Sequence, residues 1–422
     1  MPLTAVAFFV AALLFYYRGV YTAPAIPAPS PYDIQSPVLE YAAPAPELSK
    51  AAHGRAVVFD ASHRNRFSPR EISVLTSQIA SRGYTVQIAG NFSSLSTAEH
   101  TKILESALRE ANSLVVISPN AAYTPEEVTL VRQFVERGGR LLLIGDPTRE
   151  NQINSLADAF GIYFRSDYLY SLSDYQLNYQ YIRIRDFRPD EITQGLQQIS
   201  LYSASSIISD GPGLAVASDI TRSSLVHQPG PYYPLVRSAA GQVVAISDST
   251  FMVPPQDKVA DNGRLVSNLA SYLTQPSRRY TLSDFPEFFQ GDPQVLLAQP
   301  ELFADGRKLQ GILTDLGVVS QMRGTEDPSR DMVFLGLFED APRVAQYLEP
   351  AGVRIGTHVT TPAGAFPRQE MAVLVLYRSQ GRHVLVGLAD TPDILSNLVD
   401  SLRPNSDFRQ GVVDELVGVY PR

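Results

Sequence analysis

The sequence predicts an α/β protein built on a doubly wound, mostly parallel sheet, because strands and helices alternate along most of the chain. Short apolar runs such as Arg140–Ile144 are bounded by glycine and proline, which is typical of strands buried on both faces of a parallel sheet. The stretches between these runs carry apolar residues at helical spacing. Since crossovers between parallel strands are right-handed, helices are expected on both faces of the sheet.

The first α/β domain is predicted to span residues 55–275. Its predicted strands are Ala56–Asp60, Thr85–Ile88, Ser113–Ser118, Arg140–Ile144 and Gln242–Ser247. Its predicted helices are Pro69–Arg82, Thr97–Glu110, Pro125–Arg137, Asn151–Phe160 and Asn262–Leu273. Helix starts are marked at Ser68 and Thr124, because each of these N-cap residues is followed by proline at N1 and glutamate at N3.

A tyrosine-rich segment, residues 163–181, interrupts this alternation and is predicted to be an insertion. Tyrosine offers a flat apolar face with a polar tip, so the segment suits a sugar-stacking platform or a protein interface. A β-ribbon packed on the sheet, with half of its tyrosines buried, is the alternative.

A second, smaller α/β domain is predicted over residues 284–422. Its predicted strands are Gln294–Leu297, Met332–Phe338, Met371–Tyr377 and His383–Leu388, and its predicted helices are Pro300–Leu316, Ala341–Leu348 and Pro392–Leu402. Gly381 suits a hairpin turn between two of these strands, so the second sheet is predicted to be mixed.

The composition excludes several kinds of function. The 422 residues include no cysteine, which excludes thiol nucleophiles, disulfides and cysteinyl metal sites. A net charge of −8 without any basic cluster argues against a nucleic-acid partner. No nucleotide-binding glycine motif occurs, and no cofactor is expected.

The N-terminal residues 1–22 are predicted to anchor the protein in a membrane as an uncleaved signal-anchor. The first 17 residues carry no charged side chain, and an apolar run continues to Tyr17. A signal peptide cleaved at Ala23-Pro24-Ala25 and a buried N-terminal helix are the alternatives. The proline- and alanine-rich residues 23–50 are predicted to be a semi-rigid linker that holds an extracytoplasmic body away from the bilayer.

Three segments of the chain resemble a known family. They are the residues that follow the first strand (60–68), the turn Ile144-Gly145-Asp146 with its following helix, and residues 241–251 with Asp261-Asn262-Gly263-Arg264. Together they resemble an uncharacterised bacterial domain family of the class I glutamine amidotransferase-like superfamily. That family is similar to the domain shared by an auxiliary protein of gliding-motility ABC transporters and an intraflagellar-transport protein. The resemblance implies a flavodoxin-like fold that binds rather than catalyses.

The turn at Asp146 departs from the catalytic members of that superfamily. The resemblance places Asp146 at or beside their catalytic cysteine, and the second glycine of their nucleophile elbow is missing. Ser118 ends another strand but has no flanking glycines, so it cannot form a Gly-x-Ser-x-Gly elbow.

Polar residues that follow the strands nevertheless suggest a ligand-binding cleft, because open α/β sheets bind ligands at the carboxyl ends of their strands. The predicted cleft residues are Asp60, His63, Asn65, Ser118, Asn120, Asp146 and Asp248. Their carboxylates and amides suit a carbohydrate, another hydroxyl-rich ligand or a hard cation. Asp60, His63 and Asp248 are expected to be neighbours. The alternative is that each residue only caps a turn or a helix.

Two functions follow. The first is a non-catalytic, membrane-tethered binding or scaffold protein, an accessory component of a transporter or envelope complex with a protein partner. The second is a metal- or water-dependent hydrolase that uses Asp60, His63, Asp146 and Asp248. The missing nucleophile and the missing base favour the first.

Overall fold

The computed structural model describes residues 2–18, 56–92, 96–275, 278–379, 381–404, 406 and 408–421. The chain divides into two compact units, Met1–Pro44 and Ala45–Arg422. In the first unit, helix α1 (Pro2–Arg18) exposes the side chains of residues 3–16. Among the described residues, no helix combines the length and the apolar character needed to cross a bilayer. The predicted linker, residues 23–50, and the predicted cleavage site at Ala23-Pro24-Ala25 lie outside the described residues.

The second unit contains two large sheets. The strands up to residue 246 are β1 (Ala56–Asp60), β2 (Thr85–Ala89), β3 (Ala111–Ile117), β4 (Arg140–Ile144), β5 (Ile162–Phe164), β6 (Leu169–Tyr170), β7 (Tyr181–Ile184), β8 (Asp186–Phe187), β9 (Ile199–Tyr202), β10 (Ile207–Ser209), β11 (Gly213–Val216), β12 (Arg222–Ser223), β13 (Leu235–Arg237) and β14 (Val243–Ile246). The helices of this region are α2 (Ser73–Ala80), α3 (Thr97–Glu110), α4 (Pro125–Glu136), α5 (Asn154–Ala157) and α6 (Asn262–Leu273).

The first large sheet is mixed and has eight strands in the order β2-β1-β3-β4-β14-β13-β11-β8. Its first five strands are parallel, and the last three continue the sheet in antiparallel pairs. The strand that ends at Ile144 is fourth of the eight, and so it lies in the interior of the sheet as predicted. Chain order reverses between β1 and β3, so the carboxyl ends of these two strands flank the loop that follows β1.

Helices cover both faces of this sheet. On one face, Leu75 of α2 and Leu265 of α6 share a core with Phe59. On the other face, the core includes Leu104 of α3 and Phe134 of α4. The two cores are separate because alternate residues of each parallel strand point to opposite faces.

Three short antiparallel pairs form the insertion and its surroundings: β5 with β10, β6 with β12, and β7 with β9. The tyrosine-rich segment is less buried than a ribbon packed on the sheet would be. Tyr163, Tyr175 and Tyr179 are 45%, 40% and 43% exposed, and its other three tyrosines are half-buried. The segment therefore offers aromatic surface to solvent.

The second large sheet has seven strands and three helices pack around it. The remaining strands are β15 (Gln294–Leu297), β16 (Gln321–Arg323), β17 (Met332–Leu337), β18 (Arg354–Ile355), β19 (His358–Thr361), β20 (Gly364–Pro367), β21 (Met371–Ser379), β22 (Arg382–Ala389), β23 (Val412–Asp414) and β24 (Val417–Pro421). The helices are α7 (Phe303–Asp315), α8 (Ala345–Leu348) and α9 (Pro392–Ser401). The strand order is β16-β15-β17-β22-β21-β24-β23, and this sheet is mixed as predicted.

Some predicted helices are shorter in the structure. The first begins at Ser73 rather than Pro69, because the backbone amides of Glu71 and Ser73 bond to the carbonyls three residues before them, at Ser68 and Arg70, and so close turns instead of α-helical bonds. The predicted helix over 151–160 is α5 followed by a 3₁₀ turn that ends at Gly161 with a φ of +67°. Both large sheets belong to one compact unit, so the division into domains 55–275 and 284–422 stays a prediction.

Candidate functional site

The loop that follows β1 is built around the carboxylate of Asp60. Ser62 donates to Asp60 Oδ1 from its backbone amide at 3.0 Å and from its hydroxyl at 2.7 Å. The other oxygen, Oδ2, accepts from the hydroxyl of Tyr123 at 2.6 Å and lies 2.8 Å from His63 Nδ1. Asp60 and His63, which the sequence paired, are thus in contact and completely buried.

The imidazole of His63 also contacts residues from two helices. Its Nε2 lies 3.4 Å from Glu127 Oε2 in the first turn of α4. Its ring stacks on Tyr123, with 3.8 Å between ring centroids, and its centroid is 5.0 Å from that of His100 in α3. We refer to Asp60, His63, His100, Tyr123 and Glu127 as the buried histidine cluster.

The two carboxylates of this cluster control the charge of His63. Burial alone would lower the pKa of His63, but the hydrogen bonds and charges of Asp60 and Glu127 outweigh burial and raise it to about 9. Burial would raise the pKa values of Asp60 and Glu127, yet their contacts with His63 bring both below the usual range. Burial and the charge of His63 lower the pKa of His100. The two carboxylates therefore favour the protonated form of His63.

The sequence did not single out His100, Tyr123 and Glu127. Glu127 was assigned only to the cap of α4, and this cap is present, because Thr124 N donates to Glu127 Oε2 at 2.8 Å. One feature of the sequence could have indicated this cluster. His100 lies four residues before Leu104 in α3, so both side chains are on the helix face that packs against the core.

Asp146 occupies the turn after β4, where the resemblance places a catalytic cysteine. Its Oδ1 accepts from the backbone amide and hydroxyl of Thr148 at 3.0 and 2.5 Å. Its Oδ2 accepts from the hydroxyl of Ser249 at 2.7 Å and lies 3.4 Å from Arg149 Nε. The carboxylate holds the turn together and is 2% exposed, so it is not presented as a nucleophile.

Asp248 follows β14 and is also engaged by its own chain. It accepts from the backbone amides of Tyr202 at 2.8 Å and Thr250 at 2.7 Å. Burial raises its pKa to about 7, and the nearby charge of Asp146 adds to this shift. The Asp248 carboxylate thus accepts backbone N–H groups of its own chain, as a residue that stabilises a turn does.

The expectation that Asp60, His63 and Asp248 are neighbours holds for Asp60 and His63, which are in contact, and is wrong for Asp248. Strands β3 and β4 lie between β1 and β14, and three strand spacings of about 4.8 Å separate the two strand ends by about 14 Å. The reversal of chain order falls between β1 and β3, so the loop after β1 meets residues of β3, α3 and α4 instead. Asp248 lies instead close enough to Asp146 for the charge of that carboxylate to raise its pKa.

Ser118, Asn65 and Asn120 gather at the carboxyl end of β3. Ser118 has a φ of +39°, which is unusual for a serine, and it is completely buried. Asn65 Nδ2 donates to the carbonyl of Ile117 at 3.2 Å, and the backbone amide of Asn120 donates to the carbonyl of His63 at 3.0 Å. These residues fix the backbone between the buried histidine cluster and the surface.

A cleft of about 800 Å³ opens above this backbone. We call it the arginine cleft, because its walls include Arg64, Arg66 and Arg149 together with Asn65, Asn120 and Glu71. Arg64 and Arg66 are exposed, whereas Arg149 pairs with Glu71 at 2.5 Å and donates to the carbonyl of Arg66. The cleft thus offers two unburied guanidinium groups and the amide side chain of Asn120, whereas the Asn65 side chain is buried and bonded to Ile117.

A second, smaller cleft of about 360 Å³ lies beyond Arg149. Asp146, Arg165, Asp167 and Tyr168 contribute to its walls, so the turn after β4 and the tyrosine-rich insertion meet there. Asp167 is also committed to its own chain, since it accepts from the amide and hydroxyl of Ser206, both at 2.8 Å. Arg149 contributes to both clefts.

Comparison with known proteins gives a family match for a region that includes every strand of the first large sheet except β1. Residues 68–270 match the family described as "Domain of unknown function (DUF4350)". This region is similar to that family and covers just under half of the chain. No curated protein matches the chain. The relation to the glutamine amidotransferase-like superfamily stays a prediction.

A search of solved structures finds a similarity to a chain titled "mmIFT52 N-terminal domain". The identity is 14%, the TM-score is 0.42, and the match covers 52% of this chain and 97% of that chain. A likeness at this level carries no argument about function.

Proposed function

We propose that the protein is a non-catalytic, membrane-tethered binding protein that serves as an accessory component of a transporter or envelope complex. The main support is the burial of the residues that a hydrolase would use. Asp60, His63, Asp146 and Asp248 are at most 2% exposed, and each is bonded to its own chain. A substrate would have no access to them, whereas the arginine cleft is open.

The finer fold assignment is also a proposal. The parallel strands β2-β1-β3-β4-β14 are proposed to be a flavodoxin-like, doubly wound core of the glutamine amidotransferase-like type. Helices on both faces of these strands support this assignment. In that type of fold, ligands bind where the strand order reverses, and here the arginine cleft lies at this position.

Helix α1 is proposed to be the membrane tether, with the body on the extracytoplasmic side. Its side chains include Leu3, Phe8 and Phe15, which are 85%, 80% and 84% exposed. A helix with apolar residues on all sides is stable in a lipid environment. Sodium carbonate extraction of membranes tests this part, because a tethered protein stays in the pellet and a peripheral one is released.

The arginine cleft is proposed to receive an acidic or hydroxyl-rich segment of the partner. Arginine binds carboxylates through two parallel hydrogen bonds, and Asn120 adds an amide donor and acceptor. Arg64 and Arg66 have exposed side chains, so they can approach a partner without breaking the core.

Site-specific photo-cross-linking in intact cells tests the binding role. A photoreactive residue in place of Glu150, an exposed residue of the same cleft, should give a discrete cross-linked species, and the added change Arg66→Glu should remove it. The matched control is Arg307→Glu, which reverses the charge of an exposed arginine on α7 and should leave the species unchanged. A species that persists in Arg66→Glu, or no discrete species at all, would contradict a partner at this cleft.

A further inference from the structure

We propose that the buried histidine cluster is a binding site for a divalent metal ion, with Zn²⁺ as the preferred ion. His63, His100 and Glu127 each offer one ligand atom, and these three atoms lie within 4.8 Å of one another. Two imidazole nitrogens and one carboxylate oxygen are a donor set that Zn²⁺ takes in proteins, with water in the fourth position.

The separation of His63 and Glu127 fits a shared ion better than a direct hydrogen bond. Their Nε2 and Oε2 atoms are 3.4 Å apart, whereas a charged N–H···O hydrogen bond is about 2.7–2.9 Å long. Ligands about 2.1 Å from a tetrahedral ion are about 3.4 Å from each other. The pair therefore already has the spacing of two zinc ligands, and the third ligand must approach by no more than about 1.4 Å.

His100 provides a second, independent observation. Its side chain is 93% buried, and its Nε2 has no hydrogen-bond partner among the described residues. Buried polar atoms are nearly always bonded, because an unpaired one loses its hydration without compensation. Its ring centroid lies 5.0 Å from that of His63, so a small side-chain movement can bring a ring nitrogen into a common coordination sphere.

Neighbouring residues orient the ligands as they do in known metal sites. Asp60 Oδ2 lies 2.8 Å from His63 Nδ1, an arrangement that leaves Nε2 to face the ion. Thr101 Oγ1 donates to Glu127 Oε1 at 3.2 Å, and Thr124 N donates to Oε2, which keeps a lone pair for the metal. A divalent ion would also balance the two buried carboxylate charges of Asp60 and Glu127.

The ion would act on structure rather than on a substrate, because His63 and Glu127 are completely buried. It would link the loop after β1 to the first turns of α3 and α4. The carbonyl of His63 accepts from the backbone amides of Asn120 and Ala121 at 3.0 and 2.9 Å. Metal binding would therefore fix the backbone beneath the arginine cleft, although the metal site does not depend on what that cleft binds.

Metal titration of the full-length protein, without an affinity tag and stripped with a chelator, tests the proposal. We expect one equivalent of Co²⁺ to give the visible absorption of a tetrahedral site and Zn²⁺ to displace it. Zn²⁺ should also raise the melting temperature. His100→Gln and Glu127→Gln should each lower Zn²⁺ affinity by more than about 100-fold, since even loss of a second-shell partner lowers affinity about 10–100-fold.

The matched control is His358→Gln, which changes an exposed histidine on β19. This variant should bind Zn²⁺ as the wild type does. His100→Gln removes no hydrogen bond from Nε2, so it is expected to fold. Wild-type protein that binds less than one equivalent of Zn²⁺ or Co²⁺ would overturn the proposal, and so would unchanged affinity in folded His100→Gln or loss of binding in His358→Gln.

Discussion

At the residue scale, Asp146 illustrates how a turn that resembles a catalytic elbow can have a purely structural role. Its carboxylate accepts three hydrogen bonds, two from Thr148 and one from Ser249, and so it ties the turn after β4 to the end of β14. A cysteine at this position could not accept bonds of that strength. The side chain that makes these structural contacts is thus a carboxylate and not the thiol of a catalytic elbow.

We predict that Asp146→Asn leaves every functional readout nearly intact. The asparagine oxygen can still accept from Thr148, so only the contacts of Oδ2 with Ser249 and Arg149 weaken. The expected loss is about 1 kcal/mol in the free energy of unfolding. Urea denaturation measures this loss, and assays for amidotransferase and esterase activity measure turnover. If the wild type shows turnover and Asp146→Asn abolishes it, the non-catalytic proposal is wrong.

The candidate site shows which residues a sequence can pair. Asp60 and His63 are three residues apart after a buried strand, so their contact follows from local geometry. Glu127 lies 64 residues from His63, and its position depends on β1 and β3 being neighbours. Asp248 was expected beside Asp60 because both residues follow strands. The order of the strands in the sheet decides which loops meet, and local sequence patterns do not specify that order.

At the element scale, long elements with strong boundary signals could be predicted closely. Helices α3 and α6 and strands β4 and β15 have the predicted bounds, because capping residues, glycines or continuous apolar runs mark their ends. The missed strands, such as β6 and β12, have two residues each and depend on their distant partner rather than on local periodicity. Residues 69–72 were predicted as helix, but the backbone amides of Glu71 and Ser73 bond to carbonyls three residues before them and form turns there.

The loop that carries Asp60 and His63 depends on close packing against Gly90. This residue has a φ of +95°, and a β-carbon on it would lie 2.7 Å from Ser62 N. Only glycine fits there, because the backbone of the β1 loop would otherwise have to move.

We predict that Gly90→Ala is strongly destabilising. Gly83→Ala is the matched control, because Gly83 also has a positive φ, +78°, but has open space around it. The control should lower the free energy of unfolding by about 1–2 kcal/mol, and Gly90→Ala should lower it by at least about 2 kcal/mol more. Chemical denaturation measures both, and equal losses would show that the β1 loop is not constrained at Gly90.

At the scale of the whole molecule, a short connecting segment joins the two large sheets. Arg278 is nearly completely buried, donates to the carbonyls of Arg109 and Ala111, and pairs with Asp284 at 2.7 Å. Hydrogen bonds of Arg278 therefore hold the connecting segment against the C-terminal end of α3. Glu287 follows in the same segment, and it lines a cleft together with Glu110, the last residue of α3.

The burial of Glu287 near Glu110 predicts how the stability of the protein depends on pH. Burial, then the charge of Glu110 and that of Asp284, raise the pKa of Glu287 from 4.5 to about 7, and Arg278 opposes this shift only in part. Because the folded state holds the proton more tightly, stability falls as pH rises from about 4.5 to about 7 and is constant above that range.

Glu287→Gln should remove this loss, because glutamine stays neutral at every pH. Above pH 7 the variant is expected to exceed the wild type by roughly 1–3 kcal/mol in the free energy of unfolding, and the difference should shrink towards pH 4.5. Urea denaturation at several pH values measures this difference. Glu301→Gln, at an exposed glutamate before α7, is the control and should keep the wild-type profile. If both variants follow the wild-type profile, Glu287 does not hold a proton in the folded state, and the like charges beside α3 are separated by solvent rather than packed together.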